Sequence, residues 1–261
     1  RPSILPTTLL LREAIRAAHR WQTWAGRVAF TLLPLSILLT CAWVLNQGMS
    51  DPSKLGVLGR ILFLGVTGSL SALALGFAPI TTADGIREEL QDGSVDLVLL
   101  TRLSPGQIAN SKIWARILGL LSLTLGAMPI LALSAALGGV APIEVLTATT
   151  HIAMIVITSG AVGGVLGIFT RSSLLVSILA ALFAILVYVM VPAFAAIVAG
   201  DPLMMGRLSL LGWAGGGRPD FLLAPLANLP LPIALAALAG RLFEVRATHQ
   251  PERNHYTRQV W

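Results

Sequence analysis

Six stretches of this chain stay apolar for long enough to cross a bilayer, about 20 residues each. They run from Val28 to Leu45, Ile61 to Ile80, Ile113 to Leu137, Val145 to Phe169, Leu174 to Val198 and Phe221 to Phe243. None alternates apolar with polar residues, which excludes the strands of a membrane barrel. The pattern predicts an all-α polytopic membrane protein with six transmembrane helices. Pro225, Pro230 and Pro232 make the first half of the sixth stretch a candidate for a kinked or irregular entry. Pro34, Pro129 and Pro192 can kink their own spans.

The polar positions between these stretches supply the orientation. With the N-terminus placed inside, 14 of the 18 lysines and arginines fall on the cytoplasmic side; Lys54, Arg60, Arg207 and Arg218 fall outside. That asymmetry predicts both termini in the cytoplasm. Before the first span, Arg12, Arg16 and Arg20 share a face with Glu13 and His19, while Leu10, Leu11, Ala14, Ala18 and Trp21 take the other. Residues 1–26 therefore read as an amphipathic helix in the headgroup layer, with Trp21 and Trp24 as anchors, or as a plain cytoplasmic tail. They lack the early apolar core and cleavage site of a signal peptide. The expected organisation is 1–26 as this helix, 27–243 as the transmembrane domain and 244–261 as a cytoplasmic tail.

Composition sharpens the class. Hydrophobic residues make up 55% of the 261 and charged residues 11%, less than half the charge of an ordinary soluble domain, and mean hydropathy is +0.81. A disordered chain is excluded and a soluble enzyme made improbable. One cysteine, Cys41, excludes an internal disulfide framework and a multi-cysteine metal cluster. The net charge of +6 is mainly an orientation signal. The basic residues are scattered along one membrane face without interleaved aromatics, so no nucleic-acid partner is expected; the expected surrounding is the lipid bilayer.

Five of the 12 acidic residues fall between Asp84 and Asp96, in a cytoplasmic stretch of residues 84–108 that joins the second and third spans. The second span is expected to continue to about Asp92. Gly93 suits a left-handed helix end, and Ser94 can cap a two-turn helix from Val95 to Thr101 with Asp96 in its first turn. Ser104-Pro105-Gly106-Gln107 combines a capping box with proline at the first helical position, predicting a new helix there. The two-turn helix presents Val95, Leu97, Val98, Leu99 and Leu100 on the cytoplasmic side. It either docks into another protein as a coupling helix or lies on the bilayer.

Residues 89–104, Glu-Leu-Gln-Asp-Gly-Ser-Val-Asp-Leu-Val-Leu-Leu-Thr-Arg-Leu-Ser, resemble the signature between the second and third spans of ABC-2 type transporter permeases. Glu89, Gly93, Asp96, Leu97, Leu99, Leu100, Thr101, Leu103, Ser104 and Lys112 fit that pattern. Ser94, Val95 and Val98 are mild changes; Leu90, Gln91 and Arg102 stand where Arg, Glu and Pro are usual. The resemblance implies a transmembrane subunit of an ATP-driven transporter, expected to be an exporter in a bacterial inner membrane. It implies a second permease copy or a homologous permease as dimer partner, and a cytoplasmic ABC ATPase that binds ATP and Mg. Glu88, Glu89, Asp92, Asp96 and Arg102 would then pair with the ATPase, with Gly93 at the turn and Val95, Val98 and Leu99 filling its groove.

No cofactor is expected in this chain itself. It has no phosphate-loop motif, and its only lysines are Lys54 and Lys112. Ion-coupled carriers keep ionisable groups deep in the membrane. Here the candidates are Glu144, at the start of the fourth span, and His151; a histidine satisfied between helices is the simpler reading of the latter. Gly160, Gly163, Gly164 and Gly167 form overlapping small-x-x-x-small pairs, for packing within the subunit or for a dimer seam. The outer loop of residues 200–220, with Trp213-Ala214-Gly215-Gly216-Gly217, is too short for an independent domain. Two other functions compete. Ser159 with His151 invites comparison with intramembrane serine proteases, but eight residues on one helix separate them by about 12 Å. A membrane anchor or sensor for an ATPase is the second.

Overall fold

A computed structural model describes residues 21–46, 52–91, 104–137, 139–170, 172–186 and 230–249. Among them every element is a helix: α1 (Trp21–Asn46), α2 (Pro52–Gln91), α3 (Pro105–Gly126), α4 (Met128–Ala136), α5 (Pro142–Phe169), α6 (Ser173–Ile185) and α7 (Pro230–His249). Three runs, Gly56–Glu88, Pro105–Ala136 and Pro142–Phe169, are long and apolar enough to cross a membrane; Val28–Thr40 and Leu174–Phe183 are shorter apolar helices. These mark an integral membrane protein.

The distribution of side chains follows the lipid solvent. Leu32, Leu39, Trp43, Ile61, Leu174 and Leu182 are exposed, while Thr67, Ser111, Ser134, Thr158 and Ser159 are buried. That would be a poor arrangement in water and is an ordinary one in hydrocarbon, where exposed apolar groups cost nothing. Many hydroxyls are satisfied by their own helix. Thr147 donates to the Ile143 carbonyl, Thr149 to Val145, Ser111 to Gln107 and Thr82 to Ala78.

The centre of the bundle is α5, packed most extensively against α2, and also against α3, α6 and α7. Its partners share a constant register with α2. Glu144 pairs with Arg60, Ser159 reaches the Ala74 carbonyl and the Thr170 carbonyl meets Arg87, at sequence separations of 84, 85 and 83. A constant difference means that the two helices run parallel, side by side, over most of their length. Phe30 of α1 meets Phe77 of α2 edge-on, with ring centroids 6.3 Å apart, and fixes α1 against the same helix.

Prolines act unequally. Pro129 sits in the first turn of α4, and the third apolar stretch breaks at Ala127 into α3 and α4, two residues before a proline that removes a helical N–H. Pro34 lies inside an α1 that runs on across it. Pro192 and Pro225 lie outside the described residues, and Pro230 and Pro232 fall in the first turn of α7. Pro79, inside α2, lacks a donor for the turn before it. The carbonyl left without its helical donor is that of Leu75; hydroxyls of α5 and α6 approach the carbonyls on either side of it, Ser159 that of Ala74 and Ser177 that of Gly76, each at 3.5 Å.

The expected segment boundaries are met unevenly. The second stretch lies within a helix described from Pro52, nine residues earlier, to Gln91; Asp92, where it was expected to end, lies outside the described residues. Trp21 and Trp24 belong to the first turns of α1 itself. The amphipathic pattern of residues 1–20, the two-turn helix from Val95 to Thr101, the outer loop of residues 200–220 and the distal half of the fifth stretch lie outside the described residues.

Candidate functional site: the helix ends around the α2–α3 connection

The segment singled out by sequence leaves α2 after Gln91 and enters α3 at Ser104. Its exit and entry are built from charge and close packing. On α2, Asp84, Arg87 and Glu88 stand at positions i, i+3 and i+4, on one face of its last two turns. Arg87 donates from Nη1 to the Asp84 carboxylate and from Nε to the carbonyl of Thr170, both at 2.9 Å. Thr170 is the residue that ends α5, so its carbonyl is one that the helix leaves without an internal partner. A cation there also complements the negative end of the α5 dipole. Arg87 thereby ties the ends of α2 and α5 together.

The entry into α3 has the predicted chemistry. Ser104 is extended, its hydroxyl accepts from the Gln107 N–H, and the Gln107 side chain returns to the Ser104 N–H, with Pro105 at the first helical position. This is the reciprocal capping box that the sequence predicts. Ser104→Ala removes one half of it and is expected to cost about 1 kcal/mol of local helix stability. Hydrogen exchange should read this as faster exchange at Gly106 and Gln107, with amides beyond Ile113 unchanged.

Two contacts hold that entry in place. Arg116 approaches Glu88 at 3.9 Å and lies against Gly85 of α2. On the other side, Gly106 of α3 meets Gly240 of α7 backbone to backbone. A Cβ on Gly106 would stand 2.9 Å from the Gly240 oxygen, and one on Gly240 would stand 3.1 Å from the Gly106 oxygen. The Gly106–Gly240 contact and the Arg87–Thr170 bond were not found by sequence reasoning. A glycine at the second position of a capped helix was the available signal for the first.

Of the residues expected to couple to an ATPase, Glu88 is described, and its carboxylate faces Arg116 of its own chain. Glu89 lies in the last turn of α2. Asp92, Gly93, Val95, Asp96, Val98, Leu99 and Arg102 lie outside the described residues. The four glycines of α5 are all buried against helices of the same chain. Added Cβ atoms would stand 2.8 Å from Ile117 at Gly160, 2.4 Å from Pro79 at Gly163, 2.6 Å from Ile113 at Gly164 and 2.7 Å from Ala83 at Gly167.

The remaining candidates sit elsewhere along α5. Glu144 in its first turn pairs with Arg60 of α2 at the opposite end of the bundle, and Arg60 also lies over the Phe63 ring, 6.0 Å from its centroid. The sequence put Arg60 on the outer side and Glu144 at the start of the fourth span without pairing them. His151 was expected to be satisfied between helices; its Nδ1 is instead 2.9 Å from the Thr147 carbonyl of its own helix. Ser159 donates to the Ile155 carbonyl at 2.6 Å, so both candidate protease side chains bond to their own helix backbone. Among the described residues no three histidine, cysteine or carboxylate side chains gather as a metal site. No protein-family model, no curated protein and no solved structure matches the chain.

Proposed function

We propose that this chain is the membrane permease subunit of an ATP-driven transporter, acting in export, with residues 84–108 as its docking and coupling segment. In this reading six spans place both termini in the cytoplasm of a bacterial inner membrane. A second permease completes the pathway, and ATP and Mg are bound by a separate ABC ATPase.

The observation that carries the reading is the length and ending of α2. Its 40 residues extend about 60 Å, twice the thickness of the hydrocarbon core. The excess falls partly at the end that carries Asp84, Arg87 and Glu88. An α3 capped at Ser104 begins beside it, tied back through Arg116. Residues 92–103 therefore connect two helix ends that are each anchored to the bundle. A partner that pushes on this short connection acts on both helices at once. The apolar residues Val95, Val98 and Leu99 among acidic neighbours are suited to a groove with a basic rim.

The test is co-purification of the full chain with a candidate ATPase, followed by reconstitution. Glu89→Arg with Asp96→Arg is expected to lower recovery of the ATPase at least tenfold while leaving the yield of the membrane subunit unchanged. Unaltered complex and ATP turnover after this double reversal would refute the docking assignment. ATP turnover that no substrate in a broad panel stimulates would favour an anchor over a transporter.

A further inference from the structure

The α2–α5 interface is held differently in its two halves. In the inner half the backbones touch: Gly163 and Gly167 lie so close to Pro79 and Ala83 that an added Cβ would overlap backbone atoms. Pro79 and Ala83, one turn apart, each seat against a glycine one turn apart on α5, so a slide of one helix along the other must break both seats at once. The Arg87–Thr170 bond holds that end. In the outer half, from Ala74 towards Arg60, α5 has no glycine, and contact is made by ordinary side chains. There the Arg60–Glu144 pair, seated over Phe63, keeps the same register at the far end.

We propose that α2 and α5 form one rigid lever across the membrane, locked by glycine contact at its inner half and latched by Arg60–Glu144 at its outer end. A displacement applied at the inner end of α2 then arrives at the outer rim undiminished, and the other helices move against this pair. The source of the displacement, the docked ATPase, rests on the permease reading; the latch does not.

The latch is tested on the full chain in lipid nanodiscs, on a Cys41→Ser background. Spin labels are placed at Val57 and Leu146, which are exposed on the outer ends of α2 and α5. A narrow distance distribution is expected. Glu144→Gln, nearly the same shape without the charge, should at least double its width, and the swap Arg60→Glu with Glu144→Arg should narrow it again. An unchanged width in Glu144→Gln overturns the latch, and so does a swap that stays broad while the protein remains monodisperse.

Transmission is tested in the complex with the co-purified ATPase, comparing nucleotide-free protein with a non-hydrolysable ATP analogue and Mg. The distance between residues 57 and 146 should stay fixed, while that between labels at Leu39 of α1 and Leu146 should shift by several ångströms. A shift between 57 and 146, or none between 39 and 146, overturns the lever. If no ATPase associates, the permease reading fails, and the Glu144→Gln comparison still decides the latch.

Discussion

Gly163→Leu should prevent the bundle from assembling, and Gly163→Ala alone should lower its thermal unfolding midpoint clearly. The first atom of any side chain at this position would lie 2.4 Å from both the Cα and the carbonyl oxygen of Pro79, and 2.5 Å from the Thr82 hydroxyl. Backbone cannot rotate away as a side-chain tip can, so α2 and α5 must separate. Overpacking of a tight core costs about 1–3 kcal/mol for small insertions, and this site lies at the upper end or beyond. Gly119 and Gly126 of α3 provide the control, because nothing lies within 4 Å of an added Cβ at either. Gly119→Ala should leave the midpoint unchanged or raise it, since alanine favours a helix interior over glycine by about 1 kcal/mol. Thermal unfolding in detergent, followed by loss of the monodisperse peak, distinguishes the two. Equal midpoints for Gly163→Ala and Gly119→Ala would mean that the close approach of α5 to Pro79 is absent.

Removing one partner of the Arg60–Glu144 pair should also be costly. The Glu144 side chain is only 10% exposed, against 31% for Arg60. Truncating Arg60 strands a carboxylate that is nearly out of water; truncating Glu144 leaves a guanidinium that still reaches solvent. Breaking a buried pair costs about 3–5 kcal/mol, with the asymmetry placing Arg60→Ala nearer that range and Glu144→Ala below it. The double variant removes both charges and should be less damaged than the sum of the two single changes. A double-mutant cycle on reversible unfolding in mixed micelles measures that difference directly. Strict additivity would show that the two side chains do not interact in the folded protein.

Much of the fold was visible in the residues because the strongest determinants are local. The apolar runs that became α2, α3, α4 and α5 announce themselves by length. The cap at Ser104 needs only four consecutive residues. What sequence reasoning missed is long-range. Arg60 looks misplaced at a helix edge until Glu144, 84 positions later, is set beside it. Gly240 looks like an idle glycine in an apolar helix until Gly106 is brought against it. The break after α3 had a visible cause in Pro129, yet Pro34 interrupts nothing. The cost of a proline depends on whether the turn before it can stay intact, and neighbours decide that. His151 fell to the same limit, because Thr147 one turn away competes with any partner on another helix.

The glycine-to-proline contact between α2 and α5 also bears on leakage. A water molecule needs about 30 Å³ and two or more polar partners to occupy a protein interior. Backbones pressed together at Gly163 and Gly167 leave no such space, and hydroxyls on either side, those of Thr82 and Ser159, are already bonded to carbonyls. This seam is closed to a file of water and therefore to proton hopping. Any file of water through the bundle would have to run along another face of α2 or α5.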